Sequence, residues 1–361
     1  MQAAYIHIPF CRKICTYCDF CKVFYDDTLA HKYLVRLEEE INEQYNNEIL
    51  NTIYIGGGTP SALSLTNLEY LFLICTKFRR NRSYEFTFEC NIEDISENLL
   101  DILKKNGVNR LSIGIQSFNK KNLRIMGRNA NFKDTVSKIK LCRAFGFTNI
   151  NIDLIYALPG EAMLTLKRDI KKILKLNVEH ISTYSLILEK HTILYNKGIK
   201  NIPEKTDAKM YDYIRKVLKK HGYNHYEVSN FARENYESKH NKTYWLNQEY
   251  YGFGCGAHGY VGNIRYANTM SLTKYLSGDF TLEKNLLSKQ DEMDNEIILG
   301  LRLLKGIDEI AFQKKYGLTV EEAYPNVEAL IKSGLLIRTN NYLSIPEDYI
   351  YTMNSIIIKI I

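Results

Sequence analysis

The chain has 361 residues, 45% of them hydrophobic and 25% charged, which is enough for a sizeable core and for more than one domain. Its formal net charge of +7 is spread along the chain without a long basic block, so the composition does not imply nucleic acid as a partner. No stretch approaches the roughly 18 apolar residues of a membrane-spanning helix, and no charged-then-apolar leader precedes the first predicted strand. We therefore expect a cytoplasmic protein, with peripheral contact to a membrane left open.

Short β-rich runs alternate with helical patterns up to about residue 190. The runs are rich in Ile, Val, Tyr, Phe and Thr, and the segments between them carry apolar residues at helical spacing, as in Leu34, Leu37 and Ile41. Six such β–α units predict an α/β fold with a parallel sheet, which forms a partial (β/α)6 barrel or an open sheet because a complete barrel has eight units. The predicted strands are Ala4–Pro9, Thr52–Ile55, Tyr84–Glu89, Arg110–Ile115, Asn149–Tyr156 and His180–Leu186.

The second half of the chain follows a different pattern. A boundary is predicted near residues 197–205 and a helix over residues 207–221, whereas residues 226–268 are predicted to be irregular and are rich in Tyr, Asn and Gly. From Asp291 onward the pattern predicts helices followed by two short strands, an order that resembles a winged-helix module. The predicted organisation is a core over residues 1–200, a connecting region that closes the site over residues 201–290, and an α-rich, winged-helix-like domain over residues 291–361.

Four of the eight cysteines fall between positions 11 and 21, and Cys11, Cys15 and Cys18 have the spacing C-x3-C-x2-C. A cytoplasmic protein of this size is not expected to have a disulfide framework, so the clustering indicates metal. Three thiolates from one loop can hold a cubane iron–sulfur cluster and leave its fourth iron free for S-adenosylmethionine (SAM). A structural zinc site is the alternative, but zinc prefers a second C-x2-C pair, which the sequence does not contain. Cys21 would close the open iron as a fourth ligand, and we favour a bystander role for it.

Glycine and polar residues lie in or just after the next predicted strands. The sequence GGGTP at residues 56–60 follows the second strand, Glu89 ends the third, Gln116 ends the fourth and Asp153 lies in the fifth. Each one alone is equally well explained by a tight turn or by a satisfied polar group of the core. Together with the cysteine loop, however, they share the C-terminal face of a parallel barrel, where active sites lie. The combination predicts a ligand site at that face.

These motifs, in this order, resemble the radical SAM family of oxygen-independent coproporphyrinogen III oxidases and the related heme chaperone HemW. The resemblance runs over nearly the whole chain. The matching stretches are YIHIPFCRKICTYCDF, IYIGGGTPS, FECN, NRLSIGIQSF, NIDLIYALPG, YEVSNFAR, HNKTYW, YGFGCGAHGY and EIILGLRLLKGI.

The resemblance implies a [4Fe–4S] cluster and SAM as cofactors, with Cys11, Cys15 and Cys18 as the cluster ligands. One departure is Ala157, where the family usually has glycine, and it bears on how closely the backbone there approaches SAM. The SAM contacts implied by the resemblance are Tyr5, Gly57, Thr59, Glu89, Gln116, Arg128 and Asp153.

The family contains an enzyme that decarboxylates coproporphyrinogen III and a chaperone that binds heme and passes it to an apo-hemoprotein. Three features favour the chaperone. Only four residues precede Tyr5, where the oxidase has a long segment. Phe20 stands at the position where the oxidase has a further cysteine. The sequence HNKTYW at residues 240–245 matches a motif of the chaperones. We therefore expect a heme chaperone, with porphyrinogen oxidation as the alternative and no catalytic residue assigned.

His240 of the HNKTYW motif is the expected heme ligand, because histidine is a ready axial ligand for heme iron and aromatic side chains pack against the macrocycle. The alternative is an anchoring loop in which Trp245, the single tryptophan, packs the second domain onto the barrel. Cys255 and His258 of GFGCGAHGY are further candidate axial ligands. Nucleic-acid binding by the winged-helix-like end is not favoured, because that segment has no basic cluster.

Overall fold

A computed structural model of the chain describes residues 3–361. Its largest element is a sheet of 12 strands; a three-stranded sheet lies in the C-terminal region, and a two-stranded pair follows the first strand. The strands in chain order are β1 (Ala3–Ile8), β2 (Phe10–Cys11), β3 (Val23–Phe24), β4 (Leu50–Gly57), β5 (Arg80–Asn91), β6 (Arg110–Gln116), β7 (Ile150–Tyr156), β8 (His180–Ser185), β9 (Asn224–Glu227), β10 (Asn230–Ala232), β11 (Tyr250–Phe253), β12 (His258–Val261), β13 (Ile264–Asn268), β14 (Thr281–Leu286), β15 (Ile307–Asp308), β16 (Ile337–Thr339) and β17 (Tyr342–Ser344).

The six predicted strands are confirmed and form the centre of the large sheet. Strands β1, β4, β5, β6, β7 and β8 lie side by side in that order, and each pair of neighbours is parallel. Their apolar side chains, such as Ile6, Ile53 and Phe86, are fully buried. Nearly continuous burial is typical of parallel strands, which are covered on both faces. The predicted α/β class is therefore confirmed.

The sheet extends past these six strands on both sides. Strand β11 pairs in parallel with β1 and is followed by β12, β13 and β14, each antiparallel to its neighbour. On the other side β8 pairs antiparallel with β10, and β10 with β9. Because these additions occupy the outer edges of β1 and β8, the two strands do not pair with each other. The sheet is therefore open and does not close into a barrel.

A helix follows each of the six central parallel strands before the next of them begins, as expected for β–α units. Three short 3-10 helices lie at Pro60–Ala62, Ile92–Asp94 and Glu347–Thr352. The α-helices are α1 (Asp27–Gln44), α2 (Leu65–Cys75), α3 (Glu97–Lys105), α4 (Lys120–Met126), α5 (Phe132–Ala144), α6 (Met163–Leu176), α7 (Ile193–Asn196), α8 (Glu204–Lys220), α9 (Lys239–Trp245), α10 (Leu272–Leu276), α11 (Lys289–Gly300), α12 (Glu309–Tyr316), α13 (Val320–Ala323), α14 (Val327–Lys332) and α15 (Met353–Ile357).

Five helices of the parallel core begin at side-chain caps in the preceding loops. Asp26, Ser64, Ser96, Asn119 and Asn131 each accept a hydrogen bond from a backbone N–H in the first turn of the helix that follows. Such a cap satisfies an amide that has no partner within the helix and stabilises the helix by about 1 kcal/mol. The caps therefore fix where each loop ends and its helix starts.

The prediction of an irregular segment over residues 226–268 is wrong. This segment contains β10, β11, β12, β13 and α9, and it includes the end of β9. The strands are short, and some pair with a neighbour in sequence, as β12 does with β13. Others pair with distant strands, as when Phe253 of β11 pairs with Ile6 of β1. Local composition cannot reveal such pairings, because the backbone hydrogen bonds are made to residues outside any sequence window.

The C-terminal region has the predicted order of elements. Helices α12, α13 and α14 precede the two short strands β16 and β17, while β15 pairs with β17 and was not predicted because it is only two residues long. The predicted helix at residues 207–221 corresponds to α8. Across residues 3–361, no helix combines the length and apolar character needed to cross a bilayer.

Glu40 of α1 ties that helix to the added strands. Its buried carboxylate accepts hydrogen bonds from the Gly254 N–H (2.8 Å), the Tyr275 hydroxyl (2.5 Å) and the Asn268 amide (2.5 Å). Burial raises the pKa of Glu40 from 4.5 to about 7, although these three donors oppose the shift. One carboxyl group thus joins α1, the end of β11, β13 and α10.

The chain turns sharply after β7 at Ala157. This buried residue has φ +62°, in the left-handed region that favours glycine. The departure from glycine noted in the sequence therefore falls on a residue whose backbone is strained by its Cβ. The family's glycine is explained by this conformation.

Replacing Ala157 with glycine should stabilise the fold. Relief of about 1–2 kcal/mol of left-handed strain exceeds the roughly 0.5–1 kcal/mol entropic cost of a glycine. Ala157→Gly is expected to raise the free energy of unfolding in denaturant titrations by about 0.5–1 kcal/mol, whereas Ala208→Gly within α8 should lower it by about 1 kcal/mol. A loss of stability in Ala157→Gly would contradict this interpretation.

Glu40 should make stability depend on pH. The folded state binds its proton more tightly than the unfolded state, so the stabilisation is fully present below pH 4.5 and is lost as the pH rises to about 7. The loss amounts to about 3 kcal/mol. Denaturant titrations between pH 5 and 8 give the free energy of unfolding as a function of pH. Its decrease with rising pH should be smaller in Glu40→Gln than in the native chain, whereas replacing the half-exposed neighbour, in Glu39→Gln, should leave it unchanged. Equal slopes in all three proteins would refute the assignment.

Candidate functional site

A cavity of about 420 Å³ lies at the C-terminal ends of the parallel strands. Its position agrees with the face at which parallel α/β folds place their ligand sites. We call it the strand-end cavity. The predicted site residues that line it are Cys11, Cys15, Cys18, Gly57, Thr59, Glu89, Gln116, Arg128 and Asp153.

The glycine loop holds the start of the cysteine segment, residues 10–24, in place. The N–H groups of Gly58 and Thr59 donate to the carbonyls of Ile8 and Phe10, each at 2.9 Å, and the Thr59 hydroxyl lies 3.5 Å from Cys11 Sγ. A Cβ on Gly58 would come within 2.8 Å of the Pro9 carbonyl carbon and 3.0 Å of Cys11 Sγ. The glycine therefore keeps the space above Cys11 free of a side chain.

The three cysteines are free thiols, with Cys11 buried and Cys15 and Cys18 partly buried. Burial raises the pKa of Cys18 to about 11 and also raises the pKa of Cys11. The Arg128 guanidinium donates to Cys15 Sγ at 3.7 Å. Among residues 3–361, no three His, Cys, Asp or Glu side chains are grouped as the ligands of a single metal ion. A cubane iron–sulfur cluster does not need such a group, because each of its thiolate ligands binds a different iron atom.

Arg128 is fixed by two further hydrogen bonds. Its guanidinium donates to the Asn91 side-chain oxygen at 2.6 Å and to the Gly114 carbonyl at 2.9 Å. A Cβ on Gly114 would lie 2.7 Å from the guanidinium, so only glycine leaves room for it. The charge of Arg128 is thus held at the wall of the cavity beside the cysteines.

Three polar side chains face the cavity from consecutive strands. The Glu89 carboxylate accepts hydrogen bonds from the Tyr54 hydroxyl (2.6 Å) and the Gly57 N–H (3.1 Å), and burial raises its pKa to about 7. Burial also raises the pKa of Asp153. The side-chain oxygen of Gln116 is buried without a hydrogen-bond partner, and Gln116 itself has φ +69°. A buried acceptor without a donor marks a place where a ligand is expected.

A second cavity, of about 500 Å³, lies beside the first. The two share Asp19, Phe20, Tyr54 and Glu89 in their linings. We call the second one the aromatic cavity. Its remaining lining residues are Tyr5, His7, Cys21, His240, Asn241, Tyr244, Tyr250, Gly256, His258 and Met270.

Two predicted site residues, Tyr5 and His240, thus line the aromatic cavity and not the strand-end cavity. Tyr5 pairs in register with Tyr54 on the neighbouring strand, so both rings project from the same face of the sheet. Sequence reasoning missed Tyr54 and His7 as site residues. The available signal was the alternation in β1, where Tyr5 and His7 interrupt the run of Ala4, Ile6 and Ile8.

His240 is buried, with only 1% of its surface exposed, and both of its ring nitrogens have partners. Nδ1 lies 2.8 Å from the Thr52 hydroxyl, and Nε2 lies 2.7 Å from the Tyr244 hydroxyl. Burial lowers the pKa of His240 to about 3, so the ring is neutral. His258, in contrast, is exposed at the wall of the same cavity.

The HNKTYW helix α9 is attached firmly to the parallel core. Glu85 of β5 accepts hydrogen bonds from the backbone N–H groups of Lys239 and His240, both at 3.1 Å. The Arg302 guanidinium lies 5.7 Å from the centre of the Trp245 ring. These contacts support the anchoring interpretation of the motif, and they also place His240 at the cavity.

Cys21 lies apart from the other three cysteines of its segment. It lines the aromatic cavity, and its Sγ is 3.4 Å from the Sγ of Cys255. The strand-end cavity is lined by Cys11, Cys15 and Cys18 without it.

Comparison with known proteins identifies the family. The sequence profile of the Radical SAM superfamily matches residues 5–175, and that of the HemN C-terminal domain matches residues 287–348. The chain is 43% identical to the heme chaperone HemW of Lactococcus lactis subsp. lactis over 93% of this chain and 90% of that protein. For HemW of Bacillus subtilis the identity is 40% over 93% of each, and for HemW of Escherichia coli it is 30% over 98% and 96%.

A solved structure shows the same fold. The coproporphyrinogen III oxidase HemN of Escherichia coli superposes with a TM-score of 0.88 at 22% sequence identity, covering 99% of this chain and 90% of the oxidase. At that identity the likeness establishes the fold alone. The resemblance inferred from the motifs is confirmed, and the chain belongs to the HemW family of radical SAM proteins.

Proposed function

We propose that the chain binds heme in the aromatic cavity and delivers it to an apo-hemoprotein. The observation that carries the proposal is the aromatic cavity itself, a concave site with tyrosine rings and histidines that has the size of a cofactor pocket. The identity of 43% and 40% with proteins named heme chaperone supports the same function. Contact with a membrane surface stays a prediction.

The strand-end cavity is the proposed site of a [4Fe–4S] cluster and SAM, which the radical SAM family implies. Its thiols, the clear space above Cys11 and the unpartnered oxygen of Gln116 fit these groups. Cys11, Cys15 and Cys18 would hold the cluster, and the carboxylates of Glu89 and Asp153 would accept hydrogen bonds from SAM. When bound, the cluster and SAM supply one-electron chemistry.

The aromatic cavity fits the chemistry of a heme. The rings of Tyr54, Tyr244 and Tyr250 offer flat apolar surface for a macrocycle. A neutral imidazole is the form that binds iron, and His240 is neutral. For His240 to bind iron, its Nε2 has to exchange the Tyr244 hydroxyl for the metal. His258 is exposed at the cavity wall and can meet an entering heme directly. Both histidines are therefore proposed ligands.

The shared wall gives the two sites a physical connection. Tyr54 and Glu89 are hydrogen-bonded at 2.6 Å and line both cavities. A ligand that displaces Tyr54 on one side would therefore change the partner of Glu89 on the other side. In the proposed organisation, residues 1–200 carry the cluster and SAM, residues 201–290 close the aromatic cavity, and residues 291–361 form a C-terminal domain.

Cluster binding should depend on three cysteines and not on the fourth. After anaerobic reconstitution, Cys11→Ser, Cys15→Ser and Cys18→Ser are expected to lose nearly all bound iron and sulfide, because each removes one thiolate ligand. Cys21→Ser and the buried control Cys142→Ser should retain both. Loss of iron in Cys21→Ser would make Cys21 a ligand and overturn the assignment.

Heme binding should depend on the histidines of the aromatic cavity. In titrations of the reconstituted chain followed by absorbance, His240→Ala or His258→Ala is expected to shift the heme spectrum and to weaken binding roughly tenfold, about 1.4 kcal/mol. His221→Ala, at the exposed end of α8, should match the native chain. Far-UV circular dichroism establishes that each variant is folded.

The competing function is tested in the same preparation. The native chain, with its cluster, should turn over no coproporphyrinogen III under reducing conditions with SAM. Efficient decarboxylation, or an absence of heme binding by the native chain, would overturn the proposed function.

A further inference from the structure

Two cysteines, neither of them a proposed ligand of the cluster or of heme iron, lie next to each other at the aromatic cavity, which Cys21 lines and the predicted axial ligand Cys255 does not. Cys21 and Cys255 are 234 positions apart in sequence, yet their sulfur atoms are 3.4 Å apart. The reason is the parallel pairing of β1 with β11, because the segments that leave two parallel strands emerge at the same edge. Cys21 follows β1 through the cysteine segment, and Cys255 follows β11.

The local packing brings the two thiols together closely. A Cβ on Gly256 would lie 2.5 Å from Cys21 Cβ, so the glycine beside Cys255 is what permits the approach. Cys255 is fully buried and Cys21 is 7% exposed. Each thiol also has a carbonyl acceptor, with Thr269 O at 3.0 Å from Cys255 Sγ and Met270 O at 3.4 Å from Cys21 Sγ. Such contacts describe a reduced pair held at short range.

The two sulfurs differ in their access to solvent. Cys21 lines the aromatic cavity, whereas Cys255 lies behind it. A small reagent that enters the cavity therefore meets Cys21 first, and Cys255 is placed to attack any sulfur adduct formed on Cys21.

We propose that Cys21 and Cys255 form a reversible disulfide with low-molecular-weight disulfides as the oxidant. The Cys21 thiolate attacks one sulfur of the oxidant, forms a mixed disulfide and releases one thiol. Cys255 then attacks the Cys21 sulfur, its proton passes to the leaving thiolate, and a second thiol departs. The protein loses two protons and two electrons, and the oxidant takes up both and is reduced to two thiols.

The cross-link would join two segments that border the aromatic cavity. Cys21 ends the stretch that begins with the proposed cluster ligands, and Cys255 precedes Gly256 and His258 of the cavity wall. Oxidation therefore fixes the cysteine segment against the end of β11. Because the closed loop is long, the disulfide should also raise the melting temperature.

The test uses the full chain with its cluster reconstituted under anaerobic conditions. The protein is incubated with glutathione disulfide, free thiols are alkylated, and the digest is analysed by mass spectrometry. We expect a peptide pair linked through Cys21 and Cys255 that dithiothreitol separates, together with a melting temperature raised by roughly 5 °C or more.

Matched variants identify the roles of the two sulfurs. Cys255→Ser should accumulate the mixed disulfide on Cys21 and show no rise in melting temperature. Cys21→Ser should form neither adduct nor cross-link, and Cys142→Ser should behave as the native chain. The iron content is measured in each sample, so that cluster loss is recognised separately.

Two results would overturn the proposal. One is full alkylation of both Cys21 and Cys255 after oxidation of a chain that retains its iron. The other is a cross-link from Cys21 to Cys15 or Cys18 in place of Cys255. Neither result depends on whether the chain binds heme.

Discussion

The hydrogen-bonded pairing of β1 with a parallel neighbour on each side organises both cavities. Tyr5 pairs with Tyr54 of β4 on one side and with Gly252 of β11 on the other. Because the three strands end at the same edge, the cysteine segment, the glycine loop and the segment after β11 emerge together. If β1 were shifted by one residue, Tyr5 and His7 would change places with Ile6 and Ile8, and the aromatic cavity would lose the polar face that β1 gives it.

The sites also require buried groups that do not favour folding by themselves. Burial raises the pKa of Glu89 and of Asp153, and Gln116 keeps a buried oxygen without a partner. Such groups cost free energy until a ligand supplies the missing hydrogen bonds. Ala157, with its positive φ, adds backbone strain near the same edge. Stability is supplied elsewhere, by the continuous apolar burial of the six parallel strands.

The sequence was sufficient for the parallel core and for nine residues that line the strand-end cavity. The six strands were predictable because each is a compact run of β-branched and aromatic residues, and nine predicted residues line one cavity because strand ends share an edge. The strands between residues 226 and 268 were missed because they are only three to five residues long and because β11 pairs with β1, which is distant in sequence. For the same reason, the sequence could not show that Tyr5 and His240 face a separate cavity, or that Cys21 lies against Cys255.

Heme occupancy of the aromatic cavity is the central feature of the proposed function. The most direct measurement is an experimental structure of the chain loaded with heme. It should show the macrocycle between Tyr54 and Tyr244, with the iron bound by His240 or His258. Heme at any other surface, with the aromatic cavity left empty, would contradict the proposed function.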